Sequence, residues 1–236
     1  LMQMKDGYLD DHHGEWIQTP EEIDTLTKIF WDAGYQIHIH VNGDLGLEEL
    51  LTILEKRMAE NPRKDHRTTI VHFANSAPEH LQRLKDLGAI VSANPYYVTA
   101  FANKYSEVGV GPERAQAMVR LAPLEDLGVS ISLHSDLPMA PADPLYLAWA
   151  AVTRETLEGG SVKPELGLSV DKALRAITID AAYSWRMEDE IGSIAIGKVA
   201  NFTILEENPY EVAPQQLKDI GVWGTVFEGR VFPVSD

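Results

Sequence analysis

The sequence predicts a parallel α/β fold with a small β module after it. Three observations lead there. Helical and strand-like segments alternate through most of the chain. Glycines stop several helices just before strands, at Gly34, Gly88 and Gly128. The strands end in histidine or aspartate at a recurring interval. Such a pattern suits a barrel of βα units or an open doubly wound sheet, and both place their chemistry at the C-terminal ends of the strands.

The elements follow in order. In "TPEEIDTLTKIFWDAG", Thr19 is an N-cap, Pro20 the first helical residue, and Glu22 stands three after the cap. "YQIHIHV" reads as a strand. "LGLEELLTILEKRMAEN" is an amphipathic helix ended by Asn61 and Pro62, with Asp44 as its cap. "RTTIVHF" is the second strand, "APEHLQRLKDLG" a helix, and "AIVSANP" the third strand. A longer irregular segment follows, "YYVTAFANKYSEVGVGPERAQ", then a helix into "APLEDLG" and a fourth strand, "VSISLHSD". "ADPLYLAWAAVTRET" and "SVDKALRAITIDAAYSW" are helices. The domain boundary falls at 187/188: residues 1–187 form the α/β unit and 188–236 the β module, with short β-rich runs in "GSIAIGKVANFTILEENP" and "GVWGTVFEGRVFP".

Composition narrows the partners. The 236 residues are 44% hydrophobic, enough for a substantial core. A net charge of −16 makes nucleic acid and anionic membrane surfaces poor partners. With no cysteine, disulfides, thiolate zinc sites and cysteine nucleophiles are excluded. No apolar run approaches the ~20 residues of a membrane span. The opening "LMQMKDGYLDDHHGEW" lacks the apolar segment of a signal peptide, which favours a cytoplasmic location.

His40 and His72 lie 32 residues apart, and Asp136 follows His72 after twice that interval. A (β/α)8 barrel spends ~31 residues per unit, so the three fall one unit apart and then two. Imidazole and carboxylate are common ligands of zinc and similar ions. Such an ion lowers the pKa of its water to ~7, and a neighbouring aspartate can take the proton. The expected ligands are therefore His40, His72 and Asp136, with Asp136 also the catalytic base. His134 is expected to contact substrate or to orient Asp136, and His38 to lie beneath His40 on the same strand face. For His12, His13, His66 and His80 the solvated side chain is the default. For Arg114 and Arg120 it is a solvated face or an ion pair. Tyr96, Tyr97 and Trp149 are expected to pack.

The stretches "HIHVNGD", "VHFANSAPEHLQRLKDLGAIVSANP", "SLHSDLPMAPADPL" and "IGSIAIGKVANFTIL" resemble the amidohydrolase superfamily, in particular amidohydrolase family 3, the YtcJ-like metal-dependent hydrolases. The resemblance runs over nearly the whole chain. It implies a (β/α)8 barrel with one or two divalent metals, usually zinc, that hydrolyses C–N bonds of amides or cyclic amides. His40 matches the fifth-strand ligand, His72 the sixth-strand ligand, and Asp136 the eighth-strand aspartate that is both ligand and base. The terminal module resembles part of the family's small sandwich.

The family's first-strand His-x-His pair and its bridging lysine or acid have no counterpart. "DHHGEW" is loop-like and does not fit the pair. Only four barrel strands are visible, so the expected fold is a partial (β/α)8 barrel, about strands 5 to 8, and part of a β-sandwich. Such a chain is expected to hold a single ion weakly or none, and to be inactive alone or to need its missing N-terminal half. Its open sheet edges favour a homo-oligomer. The alternative is a catalytically silent half-barrel serving as an assembly module.

Overall fold

A computed structural model describes residues 2–234. After an irregular segment, α1 (Pro20–Asp32) leads into β1 (His38–Val41). Then come α2 (Asp44–Glu60), β2 (Thr69–His72), α3 (Pro78–Leu87), β3 (Ile90–Ala93), α4 (Tyr96–Val108), α5 (Pro112–Gln116), α6 (Ala122–Asp126) and β4 (Ile131–Leu133). Strands β1 to β4 form one sheet in chain order, every pair parallel. This is a run of consecutive βα units, a partial (β/α)8 barrel. The local signals act as read. Thr19 and Glu22 make a reciprocal capping box, and Gly88 ends α3 at φ 73°, where a side chain would be strained. Asp44 is the first residue of α2, and its carboxylate accepts the Leu45 and Lys5 amides.

Register sorts the sheet into two faces. Ile39, Ile70, Val91 and Ile131 stand in one cross-strand row. Ile70, Val91 and Ile131 bury into a core with Leu50, Leu54, Leu84 and Leu124 of the flanking helices, and Ile39 packs against it half-buried. His40, Val71, Ser92 and Ser132 form the next row, on the opposite face. On that face His40 is exposed and Val71 and Ser92 are half-buried, while Ser132 is buried. All-parallel sheets are normally covered on both sides, and in a closed barrel the second cover is the rest of the barrel.

Helices α7 (Pro144–Thr153), α8 (Val170–Ala176) and α9 (Ile179–Ser184) follow. An antiparallel sheet of β5 (Phe202–Leu205), β6 (Val222–Phe227) and β7 (Arg230–Pro233) closes the chain. Leu217 and Ile220 anchor this part on Leu145, Trp149 and Ala150 of α7.

The structure corrects several expectations. Residues 96–116 are mostly helical because Val98, Thr99 and Ala102 find a buried seat, which overrides the weak helix propensity of an aromatic and β-branched run. The helix expected over 169–185 breaks at Ile177 and Thr178, a β-branched pair. Residues 193–196 form no strand, and Ile194 and Ile196 are 87% and 108% exposed, with no strand paired to them among the described residues.

His66 and His80 are buried, not solvated. His66 accepts the Thr68 amide and sits 2.8 Å from the Leu87 carbonyl, while His80 accepts the Ala77 amide and meets Glu48 at 2.9 Å. Both ring nitrogens are satisfied, so burial costs little. Arg114 donates to the carbonyls of Asp6, Gly7 and Val110, tying the opening segment to α5 rather than forming an ion pair.

Candidate functional site

The C-terminal ends of β1, β2 and β4 bring His40, His72, His134 and Asp136 together. The His40 and His72 rings stand 4.3 Å apart between centroids, and those of His72 and His134 4.8 Å. His134 Nε2 lies 3.1 Å from His72 Nδ1, and Asp136 Oδ2 lies 4.0 Å from that same nitrogen. Three imidazoles and a carboxylate from three strands thus converge at one mouth. His38 shares the face of His40 but stands apart. Its Nε2 is 3.1 Å from the Gln36 amide, and its ring is 5.5 Å from that of Trp185.

His72 arrives by an unexpected route. Register pairs it with Val41 and Ala93, in a row that alternates away from His40. The strand ends are therefore staggered by one residue rather than aligned. His72 and Phe73 adopt φ of 76° and 54°, left-handed values uncommon outside glycine. This turn at the strand end carries the imidazole out of the alternation and over to His40. Asp136 is also left-handed, at φ 54°. Strain of this kind clusters at functional sites.

Neighbours hold the rings. The Asn42 side-chain amide is 3.1 Å from His40 Nε2. Tyr97 Oη is 3.2 Å from His72 Nδ1, and Ser92 Oγ is 3.0 Å from His134 Nδ1. Asn42 is itself clamped, since its carbonyl accepts the Asn75 amide from the loop after β2. Sequence reasoning missed Asn42 and Ser92 and treated Tyr97 as packing. Two signals bear on them: Asn42 directly follows the strand, and Ser92 shares the His40 row.

Electrostatics favours neutral rings. Burial draws the His72 pKa down to about 4, helped by the neighbouring His134 and His40 and opposed by Asp136. Burial also lowers the His134 pKa, against the pull of Asp136. Neutral imidazole is the form that ligates a metal. Among the described residues His40 Nδ1 and His72 Nε2 have no hydrogen-bond partner, and the Asp136 carboxylate is half exposed. By chemistry this donor set fits a divalent cation. Among the described residues no three such side chains already converge closely enough to grip one, so binding requires them to draw together.

A groove of about 770 Å³ opens beside the cluster. Trp16, Ile17, Phe30, Ile37, Ile39 and His40 line it. Because it takes residues from both faces of β1, it runs along the free edge of that strand. No helix among the described residues is long and apolar enough to cross a membrane.

Comparison with known proteins agrees with this architecture. A family model described as "Amidohydrolase family" matches residues 2–233. An N-substituted formamide deformylase of Arthrobacter pascens is 28% identical over 230 residues, covering 96% of this chain and 42% of that protein. YtcJ of Bacillus subtilis is 27% identical over 235 residues, covering 97% and 43%. The crystal structure of an uncharacterized metal-dependent hydrolase from Pyrococcus furiosus superposes with a TM-score of 0.68 at 25% identity, covering 83% of this chain and 39% of that one. The chain spans about two-fifths of the length of the curated relatives it matches.

Proposed function

The chain belongs to the amidohydrolase family, and from that premise we propose that its histidine mouth serves the hydrolysis of C–N bonds in small amides or cyclic amides. The observation that carries the reading is the meeting of His40, His72, His134 and Asp136 at the C-terminal ends of three strands of one parallel sheet, where barrel enzymes carry their chemistry.

His40, His72 and Asp136 would hold one divalent cation, with zinc favoured by the imidazole and carboxylate donors. When bound, the cation supplies Lewis acidity and lowers the pKa of a water to about 7. The remaining chemistry belongs to the chain. Asp136 takes the proton from the attacking water as the C–O bond forms. It returns that proton to the nitrogen as the C–N bond breaks. The half-exposed position of its carboxylate supports this role, since substrate can reach it. The name of the Arthrobacter relative makes N-substituted formamides the first substrates to try.

The open β1 edge supports a further element of the reading: activity requires a completed barrel. The occupant that fits the groove is another βα unit of the same fold, its strand pairing with β1 and its helix covering the exposed Leu26, Ile29 and Phe30 of α1. A second copy of the chain carries a free parallel edge of its own, β4, which could meet β1 in the same sense.

The test uses the zinc-loaded chain, alone and with a separately expressed N-terminal barrel half of a relative, on N-substituted formamides and cyclic amides. Hydrolysis in either arm that Asp136→Asn abolishes, with the cation retained, is the expected result. Turnover unchanged by Asp136→Asn removes Asp136 as the base, and no turnover in either arm rejects the reading.

A further inference from the structure

His134 has no free ring nitrogen. Nδ1 is 3.0 Å from Ser92 Oγ, and Nε2 is 3.1 Å from His72 Nδ1. Ser92, His134 and His72 are therefore joined end to end, running from the His40 face of the sheet to the mouth. We propose that Ser92 and His134 are positioning residues that fix the ring tautomer of His72, so that its Nε2 presents a bare lone pair. The consequence for cation binding rests on the reading of His72 as a ligand; the tautomer itself does not.

Two neutral imidazoles joined by one hydrogen bond share a single proton, and the chain of bonds has two senses. In the first, His72 Nδ1–H donates to His134 Nε2, His134 Nδ1–H donates to Ser92 Oγ, and His72 Nε2 is left bare. In the second, Ser92 donates to His134 Nδ1, His134 Nε2–H donates to His72 Nδ1, and the remaining His72 proton sits on Nε2.

Three features favour the first sense. Among the described residues His72 Nε2 has no hydrogen-bond partner, whereas Nδ1 has two within reach, so an N–H is better satisfied at Nδ1 than at Nε2. Asp136 Oδ2 stands 4.0 Å from His72 Nδ1 and attracts an N–H at that position. Tyr97 Oη, 3.2 Å from the same nitrogen, offers that N–H a second acceptor. A ligating histidine is ordinarily held through its other ring nitrogen in this way. Here the holding group is a second histidine, backed by a serine one strand away.

The experiment is nitrogen-15 NMR of the metal-free full chain with labelled histidine, at a pH above the imidazole range, followed by zinc titration calorimetry. Expected are a protonated Nδ1 and a bare Nε2 at both His72 and His134. Ser92→Ala removes the terminal acceptor. It is expected to mix the His72 tautomers and to weaken zinc binding about tenfold, and Ser92→Thr to restore both. A protonated Nε2 at His72 in the unsubstituted chain overturns the proposal, as does a Ser92→Ala chain with unchanged ring signals. If the tautomers are as expected and zinc still does not bind, the relay stands and the metal reading fails. If zinc binds while His72 carries its proton on Nε2, the relay fails and the metal reading stands.

Discussion

The two faces of the parallel sheet differ in kind. One carries Ile39, Ile70, Val91 and Ile131 and is packed against helices from β2 to β4, with Ile39 half-buried at the free edge. The other carries His40, Val71, Ser92 and Ser132 and grades from an exposed His40, through half-buried Val71 and Ser92, to a buried Ser132. Both come from the same four strands, because successive side chains point to opposite sides. The difference teaches that alternation separates most of the buried core from the histidine cluster. A residue can cross from one side to the other only if the backbone leaves the strand pattern. His72 does so through its left-handed turn.

The largest expected effect falls on the helix-packed face. Ile70 is fully buried among the helices, and Ile70→Ala should lower unfolding stability by about 2–5 kcal/mol, read from the denaturant midpoint. A loss below about 1 kcal/mol would show that this face is not the stabilising one.

The next effect tests the residue that crosses. The ordinary histidine value is 6.5, and folding draws His72 to about 4. Between these values the unfolded chain binds more protons than the folded one. The contribution of His72 is thus fully present above pH 6.5 and is lost as pH falls toward about 4, below which it changes no further. The loss is on the order of 3 kcal/mol in metal-free protein, and His134 adds to it in the same direction. The variant His72→Gln should flatten the curve over this window. A curve of unchanged slope would mean that His72 is not buried as a neutral ring.

The smallest effect belongs to the His40 face. His40 is exposed, and His40→Ala should shift stability by no more than about 0.5 kcal/mol. Should it cost as much as Ile70→Ala, the division between the faces collapses.

Much of this was legible in the sequence. Strand and helix alternation, the Thr19 cap and the Gly88 stop are local signals, and the local structure obeys them. The strand-end histidines were legible because a polar residue closing an apolar run is costly without a task. What escaped depends on tertiary placement. No periodicity announces the φ of 76° at His72. The burial of His66 and His80 rests on partners 21 and 32 residues away, Leu87 and Glu48. Helix α4 forms because the core accepts its buried face, not because its residues favour a helix. Ser92 looked like an ordinary strand residue until register set it on the face of His40.

The most direct test of the central claim is the metal content of the chain, by elemental analysis of protein purified without chelator or affinity-tag metal. Near one equivalent of zinc or a similar divalent ion per chain is expected after zinc incubation, lost in the His40→Ala, His72→Ala double variant while the fold persists. No bound metal under excess zinc, or metal retained by the double variant, would contradict it.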